Sequence, residues 1–317
     1  MTVCLNPACQ NTQNSQQAQL CQRCGSKLLL GERYRAIKPI GQGGFGRTFL
    51  AVDEHKPSQP HCAIKQFLPQ DQGTGNVQKA AELFRREAVR LDELGNHPQI
   101  PELLAYFTQD GRQYLVQEFI EGDNLDQELA AQGAFTEAKI LEVLNDLLPV
   151  LQFIHSHQVI HRDIKPENII RRRENRQLIL VDFGACKFAP GTPAKPGTVI
   201  GSAGYVAPEQ AVGKAVFASD IYSLGVTCVH LLTGIPPFSL FNSREGIQGW
   251  RNYLGENPVS SQLGRLLDKL VEIPILHRYQ SAAEVLTDLQ TPVLEPDPLS
   301  QVQWQEDSDI QWTDLTR

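Results

Sequence analysis

His161-Arg-Asp-Ile-Lys-Pro-Glu-Asn168 is the stretch that decides the fold of this 317-residue chain. Asp163 supplies a carboxylate, Lys165 an ammonium group and Asn168 a side-chain amide. A carboxylate can accept a proton, an ammonium group can neutralise anionic oxygens, and an amide oxygen can bind a hard cation such as Mg²⁺. The combination indicates a site that binds an anionic substrate. The sequence on either side restricts the reactions that this site could catalyse.

Upstream, Gly41-Gln-Gly-Gly-Phe-Gly46 forms a glycine-rich loop. On its own this spacing is weak evidence, because dinucleotide-binding folds use it as well. In those folds the glycines lead into a helix whose N-terminus meets the pyrophosphate. Here the β-branched and apolar run Thr48-Phe-Leu-Ala-Val52 follows. The glycines are therefore predicted to lie in a β-hairpin that offers backbone N–H groups to phosphates.

Lys65 and Glu87 are predicted to form an ion pair. Lys65 ends the strand-like run Cys62-Ala-Ile-Lys65, and Glu87 lies on the apolar face of a predicted amphipathic helix over residues 77–94. An unpaired carboxylate is costly to bury, so Glu87 requires a cationic partner or a water-filled gap, and Lys65 is the candidate partner. Taken singly, the two residues favour a surface lysine and a glutamate that reaches solvent, and it is the His161–Asn168 motif that favours the ion pair.

Downstream, short motifs follow in a fixed order. They are Asp182-Phe-Gly184, Ala207-Pro-Glu209, Asp220 in Ser-Asp-Ile-Tyr-Ser-Leu-Gly, and Arg278 in His-Arg-Tyr279. Together with the glycine loop, Lys65 and Glu87, these motifs resemble the eukaryotic-like (Hanks-type) protein kinase family over nearly all of residues 34–289. Lys165 is typical of the serine/threonine-directed branch of that family.

The resemblance implies an α+β, bilobal protein-kinase fold, with a small β-rich N-lobe and a larger α-helical C-lobe. Residues 34–289 are expected to form this kinase domain. Residues 1–28 carry a cysteine cluster and are expected to form a separate small unit. Residues 290–317 are acidic and contain several prolines, a composition that predicts a flexible tail.

The activity implied is transfer of the γ-phosphoryl group of Mg-ATP to serine and threonine hydroxyls of proteins, with Mn²⁺ as an alternative to Mg²⁺. Asp163 would accept the proton of the hydroxyl group, and Lys165 would stabilise the transferring phosphoryl group. Glu87 would hold Lys65 against the phosphates. Asn168 completes the implied catalytic set.

Nucleotide and metal ligands are also implied by the resemblance. The positions are Gly41, Gln42, Gly43, Gly44, Phe45, Gly46, Thr48, Ala63, Lys65, Glu118, Ile120, Asn168 and Asp182. Glu118 and Ile120 would offer hinge backbone groups to adenine, and Asn168 and Asp182 would bind Mg²⁺. Thr48 departs from the family, which commonly has Val there, so a modest effect on nucleotide affinity is expected.

The same resemblance predicts control through the activation segment, residues 182–209. In the family, an arginine in the position of Arg162 often marks regulation by phosphorylation of this segment. The candidate acceptors are Thr192, Thr198 and Ser202. The Ser202 hydroxyl is expected to contact the catalytic Asp and Lys, so autophosphorylation is predicted at Thr198 first and Thr192 second. A segment that is ordered without phosphate stays open as an alternative.

Of the seven cysteines, four lie near the amino terminus, at Cys4, Cys9, Cys21 and Cys24. Two close pairs in a short segment predict a structural Cys₄ zinc ribbon, since fewer than about 40 residues rarely build an adequate core without a metal or cross-links. A redox-active dithiol at Cys21 and Cys24 is the alternative. A structural role or a protein partner is expected for the ribbon.

Composition excludes several other classes of protein. The net charge is −7 and hydrophobic residues make up 41%, which argues against a general nucleic-acid binder and against wholesale disorder. We find neither an apolar run long enough to span a membrane nor a signal peptide, so a cytoplasmic location without membrane contact is expected. The basic run Arg171-Arg-Arg173 is interpreted as a solvated turn.

Two other functions compete with a protein kinase. Small-molecule kinases of the same superfamily generally lack an activation segment and the Ala-Pro-Glu motif, and this chain has both. A nucleotide-binding scaffold is the second alternative, and the presence of Lys65, Asp163 and Asp182 argues against it.

Overall fold

A computed structural model describes residues 1–9, 13–43, 46–68, 73–95, 97–188, 202–240 and 247–291. The first lobe is a six-stranded antiparallel sheet with one long helix. Its elements are β1 (Leu29–Leu30), β2 (Tyr34–Gly43), β3 (Gly46–Asp53), β4 (His61–Phe67), α1 (Gly73–Leu94), β5 (Leu103–Gln109) and β6 (Arg112–Glu118). The strand order is β1-β2-β3-β4-β6-β5. Because β1 pairs with β2, the sheet begins before residue 34, where the kinase domain was expected to start.

Alternation along β4 separates the two faces of this sheet, since successive side chains of a strand point in opposite directions. Cys62 and Ile64 belong to an apolar cluster on the outer face of the sheet. Lys65 points the other way, toward α1 and the second lobe. The glycine loop is a hairpin as predicted, with Gly43 opposite Gly46 in the β2–β3 register.

Helix α1 covers the inner face of the sheet. Phe84, Ala88, Leu91 and Leu94 are buried, as the predicted amphipathic pattern requires. The helix begins at Gly73, four residues before the predicted start.

The second lobe is mainly helical and contains short strands at its border with the first. Its elements are β7 (Gly122–Asn124), α2 (Leu125–Gln132), α3 (Glu137–Ser156), β8 (Val159–Ile160), β9 (Ile169–Arg172), β10 (Leu178–Leu180), β11 (Lys187–Phe188), α4 (Pro208–Ala211), α5 (Phe217–Thr233), α6 (Pro237–Leu240), α7 (Ser261–Leu270) and α8 (Ala282–Gln290). Helix α5 is buried almost throughout, so it forms the centre of the lobe. Within the described ranges, none of the helices combines the length and the apolar composition that a bilayer span requires.

The bilobal α+β architecture confirms the predicted fold class. Gln290 is the last residue of α8, and the boundaries expected for the three segments of the chain stay predictions. Residues 292–317, Gly44, Phe45, Thr192 and Thr198 lie outside the described residues.

Candidate functional site

Lys65 on β4 lies between two carboxylates at the border of the lobes. Its Nζ donates to Glu87 of α1 and lies 3.1 Å from Oδ1 of Asp182. Burial alone would lower the pKa of Lys65, but the charges of Asp182 and Glu87 raise it above its ordinary value. The Lys65 ammonium in turn lowers the pKa of Asp182. The buried Glu87 therefore has the cationic partner that its place on an apolar helix face requires.

Asp163 lies in the loop between β8 and the 3₁₀ turn Pro166–Asn168, and three neighbours fix its carboxylate. Oδ1 accepts hydrogen bonds of 2.9 Å from both the backbone N–H and the hydroxyl group of Ser202. Oδ2 accepts one of 2.9 Å from Nδ2 of Asn168 and lies 3.4 Å from Nζ of Lys165. Nζ of Lys165 also donates to the Ser202 hydroxyl. The predicted catalytic groups of this loop therefore form one connected network.

Asp220 on the buried helix α5 holds the backbone of this loop. Its carboxylate accepts the N–H of His161 at 2.9 Å and that of Arg162 at 2.8 Å, and it also lies 2.9 Å from Nε2 of His155. Arg162 has a φ of +72°, a left-handed conformation that costs a non-glycine residue about 1–3 kcal/mol. Gln210, which the sequence analysis did not anticipate, donates to the Arg162 carbonyl at 2.7 Å. These hydrogen bonds keep a strained turn in place beside Asp163.

The segment around Asp182 is packed against the same loop. Asp182 itself has a left-handed φ of +67°. The His161 ring donates from Nε2 to the carbonyl of Val181 at 3.2 Å and packs edge-on against Phe183. Burial lowers the pKa of His161, so the ring is neutral and serves to position its neighbours.

A cavity of about 670 Å³ lies between the lobes. The predicted site residues that line it are Gly41, Gln42, Gly46, Thr48, Lys65, Glu87, Asp163, Lys165, Asn168, Asp182 and Ser202. A Cβ atom on Gly46 would lie 2.0 Å from the backbone oxygen of Gln66, so the close approach of β3 and β4 there requires glycine. The cavity thus brings together the glycine-rich strands and the charged groups of the second lobe.

Three other positions of the predicted nucleotide-binding set do not line this cavity. Ala63 is paired with Gln117 across β4 and β6, and Glu118 ends β6. The Glu118 N–H donates to the carbonyl of Glu102 at 2.8 Å, and Ile120 is buried. None of Ala63, Glu118 and Ile120 is among the residues that line this cavity, so their contact with the nucleotide stays a prediction.

The interpretation of Arg171-Arg-Arg173 as a solvated turn is wrong for its first two residues. Arg171 is buried and donates from Nε to Glu128 at 2.8 Å. Arg172 is paired with Glu118 at 2.7 Å, which connects β9 to the end of β6. Only Arg173 is well exposed. The alternation of strand β9 explains the difference, because it directs Arg171 into the lobe.

The guanidinium group of Arg162 is buried beside the activation segment. Its Nε atom has no hydrogen-bond partner in the described part of the chain, and burial lowers its pKa. A buried, unpaired cation is costly, so this group is suited to receive an anion.

Glu209 and Arg278 form a buried ion pair behind the activation segment. The Arg278 Nη1 atom lies 2.7 Å from Oε1 of Glu209, and the Arg278 side chain is 0% exposed. The Ser219 hydroxyl also donates to Glu209, and the Ala218 carbonyl accepts from Arg278. The pair connects the Ala-Pro-Glu motif to helix α5.

The four amino-terminal cysteines converge on one point. Their sulfur atoms all lie within 4.8 Å of one another. Cys4 and Cys24 are 3.5 Å apart and Cys9 and Cys21 are 3.7 Å apart, far longer than the roughly 2.05 Å of a disulfide. A zinc ion with Zn–S bonds of about 2.3 Å has tetrahedral sulfur–sulfur edges of about 3.8 Å. The four thiols therefore fit zinc.

Backbone N–H groups lie close to these sulfur atoms, next to a tight turn at Gly25, whose φ is +70°. Burial alone would raise the pKa of Cys21, but the N–H groups of Cys24 and Arg23 donate to its sulfur and lower it. The Ser26 hydroxyl and N–H lower the pKa of Cys24 to about 6. Such donors favour the thiolate form that metals bind.

Comparison with known proteins agrees with this geometry. The family model described as "Protein kinase domain" matches residues 34–298. Serine/threonine-protein kinase B of Synechocystis sp. is 43% identical over 305 residues, covering 93% of this chain and 53% of the relative. Serine/threonine-protein kinase C of the same organism is 45% identical over 270 residues, covering 83% and 50%. PknA of Nostoc sp. is 41% identical over 278 residues, covering 85% and 49%. The chain thus spans about half the length of these curated relatives.

Proposed function

Because this chain belongs to the protein kinase family, we propose that it transfers the γ-phosphoryl group of Mg-ATP to serine and threonine hydroxyl groups of proteins. The observation that carries the proposal is the network around Asp163, with Lys65 and Asp182 on the same cavity. The three relatives described above are all serine/threonine-protein kinases, which supports serine and threonine hydroxyl groups as the acceptors.

Each charged group has a distinct task in this proposal. The carboxylate of Asp163, held by Ser202 and Asn168, accepts the proton of the incoming hydroxyl group. Lys165, 3.4 Å from that carboxylate, neutralises charge on the transferring phosphoryl group. Lys65, kept protonated by two carboxylates, contacts the phosphates of the nucleotide. Phosphoryl transfer depends on such positioning and charge neutralisation more than on covalent catalysis.

Asn168 and Asp182 fit a magnesium ion. Asn168 uses its amide hydrogens on Asp163, which leaves its oxygen as the atom for a metal. Asp182 is an ionised carboxylate with half of its side chain exposed to the cavity. Carboxylate and amide oxygens are the ligands that Mg²⁺ prefers. When bound, the ion neutralises charge on the phosphate oxygens.

The test is transfer of phosphate from γ-labelled ATP, with Mg²⁺, to a generic basic protein. Phosphoserine or phosphothreonine in the product, without phosphotyrosine, is the result we expect. Transfer only to a small molecule would favour the aminoglycoside-kinase type of enzyme. The buried Glu209–Arg278 anchor behind the activation segment favours a protein acceptor, since the small-molecule enzymes generally lack this segment.

We further propose regulation by autophosphorylation, with Thr198 as the first acceptor and Thr192 as the second. The buried Arg162 supports this, because its Nε atom lacks a partner among the described residues and a phosphate on the segment would supply an anionic one.

We predict that mass spectrometry of active enzyme finds phosphate on Thr198, and that Thr198→Ala lowers kcat by about tenfold or more through loss of this ion pair. Arg162→Gln should remove the difference between phosphorylated and unphosphorylated enzyme. Ser239→Ala, in a short helix outside the segment, is the control. Active enzyme with both threonines unmodified would contradict the prediction.

We also propose one structural zinc ion bound by Cys4, Cys9, Cys21 and Cys24. We expect one zinc per chain by elemental analysis, and its loss from a Cys21→Ser variant. Cys228→Ser, at a buried cysteine of α5, is the matched control and should retain the metal. Metal-free protein with reversible dithiol chemistry would instead favour the redox alternative. A protein partner for the ribbon and a cytoplasmic location stay predictions.

A further inference from the structure

The cysteine unit is packed against the nucleotide-binding lobe instead of lying apart from it. Val3 and Leu5 flank the metal ligand Cys4 in sequence, and both are buried in the apolar cluster on the outer face of the sheet. There they meet Phe49 of β3 and Ile64 of β4. The Val3 N–H also donates to the carbonyl of Ala36 on β2 at 3.1 Å. The proposed metal ligand Cys4 therefore lies between two residues, Val3 and Leu5, that pack against the sheet.

A single peptide group connects the cysteine cluster to the strands of the site. The N–H of Asn6 donates to the sulfur of Cys4. The carbonyl of the same peptide belongs to Leu5, and it accepts from Nε2 of Gln66 at 2.7 Å and from Nη2 of Arg47 at 3.3 Å. In a trans peptide the N–H and the C=O point in opposite directions, so this group extends from the sulfur on one side to the sheet on the other.

Gln66 is the centre of this connection. Its side chain is completely buried, and besides the Leu5 carbonyl its Nε2 also reaches the Tyr114 hydroxyl at 3.0 Å. Its Oε1 accepts from Nη2 of Arg47 at 2.8 Å. A buried amide with all these hydrogen bonds made is held in one orientation, and loss of the Leu5 carbonyl would leave a donor unpaired.

The neighbours of Gln66 and Arg47 belong to the nucleotide site. Gln66 follows Lys65 on β4, and both residues line the cavity, as does Arg47. The amide of Gln66 points to the cysteine unit, whereas the ammonium group of Lys65 points to Glu87 and Asp182. Arg47 lies between Gly46 and Thr48 on β3, and both of these line the cavity. A displacement of either outward-facing side chain would therefore move the backbone of a cavity-lining residue.

We propose that Gln66 and Arg47 are positioning residues that couple metal binding at the four cysteines to nucleotide binding, through the Leu5–Asn6 peptide. Metal at the cysteines fixes Cys4, and with it the Leu5 carbonyl that orders β3 and β4 over the cavity. Loss of the metal releases this carbonyl, which weakens nucleotide binding although the charged groups Lys65, Asp163 and Asp182 are unchanged. The measurement of nucleotide affinity rests on the proposed function. The order of β3 and β4 can be measured even if the protein binds no nucleotide.

The experiment compares zinc-loaded and zinc-stripped protein, full chain, for the wild type, Gln66→Leu and Gln99→Leu. Gln99 is the matched control, a buried glutamine that donates to two backbone carbonyls far from the cysteine unit. Stripping is done with a chelator and a reductant, both removed before Mg²⁺ and a non-hydrolysable ATP analogue are added. Calorimetry measures the dissociation constant, and hydrogen exchange measures the protection of amides in Gly46–Asp53 and His61–Phe67.

We expect zinc removal to raise the dissociation constant about tenfold in the wild type and in Gln99→Leu, equivalent to about 1.4 kcal/mol. In Gln66→Leu the zinc-loaded protein should already bind weakly, and zinc removal should change its affinity by less than about twofold. Exchange in β3 and β4 should follow the same pattern.

An equal effect of zinc in Gln66→Leu and the wild type would overturn the proposal, as would unchanged exchange in β3 and β4 of stripped wild-type protein. If Gln66→Leu does not fold, Arg47→Met removes the second donor to Leu5 and is judged by the same criteria. A wild type that binds no nucleotide in either metal state would contradict the kinase proposal, while its exchange data would still decide whether zinc orders these strands.

Discussion

Asp163→Asn should lower kcat for phosphoryl transfer by about a thousandfold, because general base catalysis typically contributes about 10²- to 10⁴-fold. Asn has nearly the shape of Asp, and its oxygen can still accept the hydrogen bonds from Ser202. The variant loses the capacity to take up the proton of the acceptor hydroxyl group, the charge that faces Lys165 and the oxygen that accepts from Nδ2 of Asn168. The measurement is the initial rate of label transfer from ATP at saturating nucleotide and protein substrate.

The control for this variant is Asp123→Asn, the same change at an exposed aspartate of β7. It should leave kcat unchanged within about twofold, as expected for surface substitutions. Asp163→Asn should also retain the melting temperature and the nucleotide affinity of the wild type. Retained transfer activity with intact folding would show that another group accepts the proton, and it would remove Asp163 from the proposed mechanism.

The charged centre of the site was predictable from the sequence because its members are tied to short motifs. Glu87 is the clearest case, since a carboxylate on an apolar helix face requires a buried cation and Lys65 was the candidate. The hydroxyl of Ser202 contacts Asp163 and Lys165, a contact that the family resemblance implied. For Glu87 the residue type itself carries a physical demand that few partners can meet, whereas the position of Ser202 followed from the resemblance.

Other features depend on tertiary packing that no local pattern encodes. Gln210 caps the carbonyl of Arg162, a contact between residues that are far apart in sequence. Arg171 belongs to a basic run, a pattern that suggests exposure to solvent. The alternation of the strand instead places its side chain against Glu128. Arg171 lies in β9, where every second residue faces inward, and a run of three arginines does not reveal which of them does so.

The cysteine unit shows the same limit on a larger scale. Its spacing predicts a metal site, because Cys₄ coordination requires only that two pairs come together. Nothing in the spacing indicates where the unit docks. Val3 and Leu5 resemble ordinary apolar residues in a polar segment, and their burial becomes intelligible only against the outer face of the sheet. Val3 and Leu5 of this amino-terminal segment therefore cover part of the outer face of the N-lobe sheet.

Arg278→Met should lower the free energy of unfolding by about 3–5 kcal/mol, the usual cost of breaking a buried ion pair by removal of one partner. The carboxylate of Glu209 would remain buried with the Ser219 hydroxyl, having lost the two guanidinium contacts at 2.7 and 3.4 Å. The carbonyl groups of Ala218 and Glu272 would also lose their donor. Urea unfolding followed by circular dichroism measures the change.

Two further variants distinguish the contribution of the ion pair to stability from that of the packing of the arginine side chain. Arg173→Met removes the exposed partner of Glu121 and should change stability by less than about 0.5 kcal/mol, because surface pairs contribute little. The double variant Glu209→Gln with Arg278→Met should cost less than the sum of the single changes by about 1–3 kcal/mol, because it leaves no unpaired charge. A change in stability with Arg278→Met as small as that with Arg173→Met would contradict the prediction. Neither the ion pair with Glu209 nor the packing of Arg278 over Tyr222, where the guanidinium carbon lies 4.8 Å from the ring centre, could then be the anchor of the activation segment.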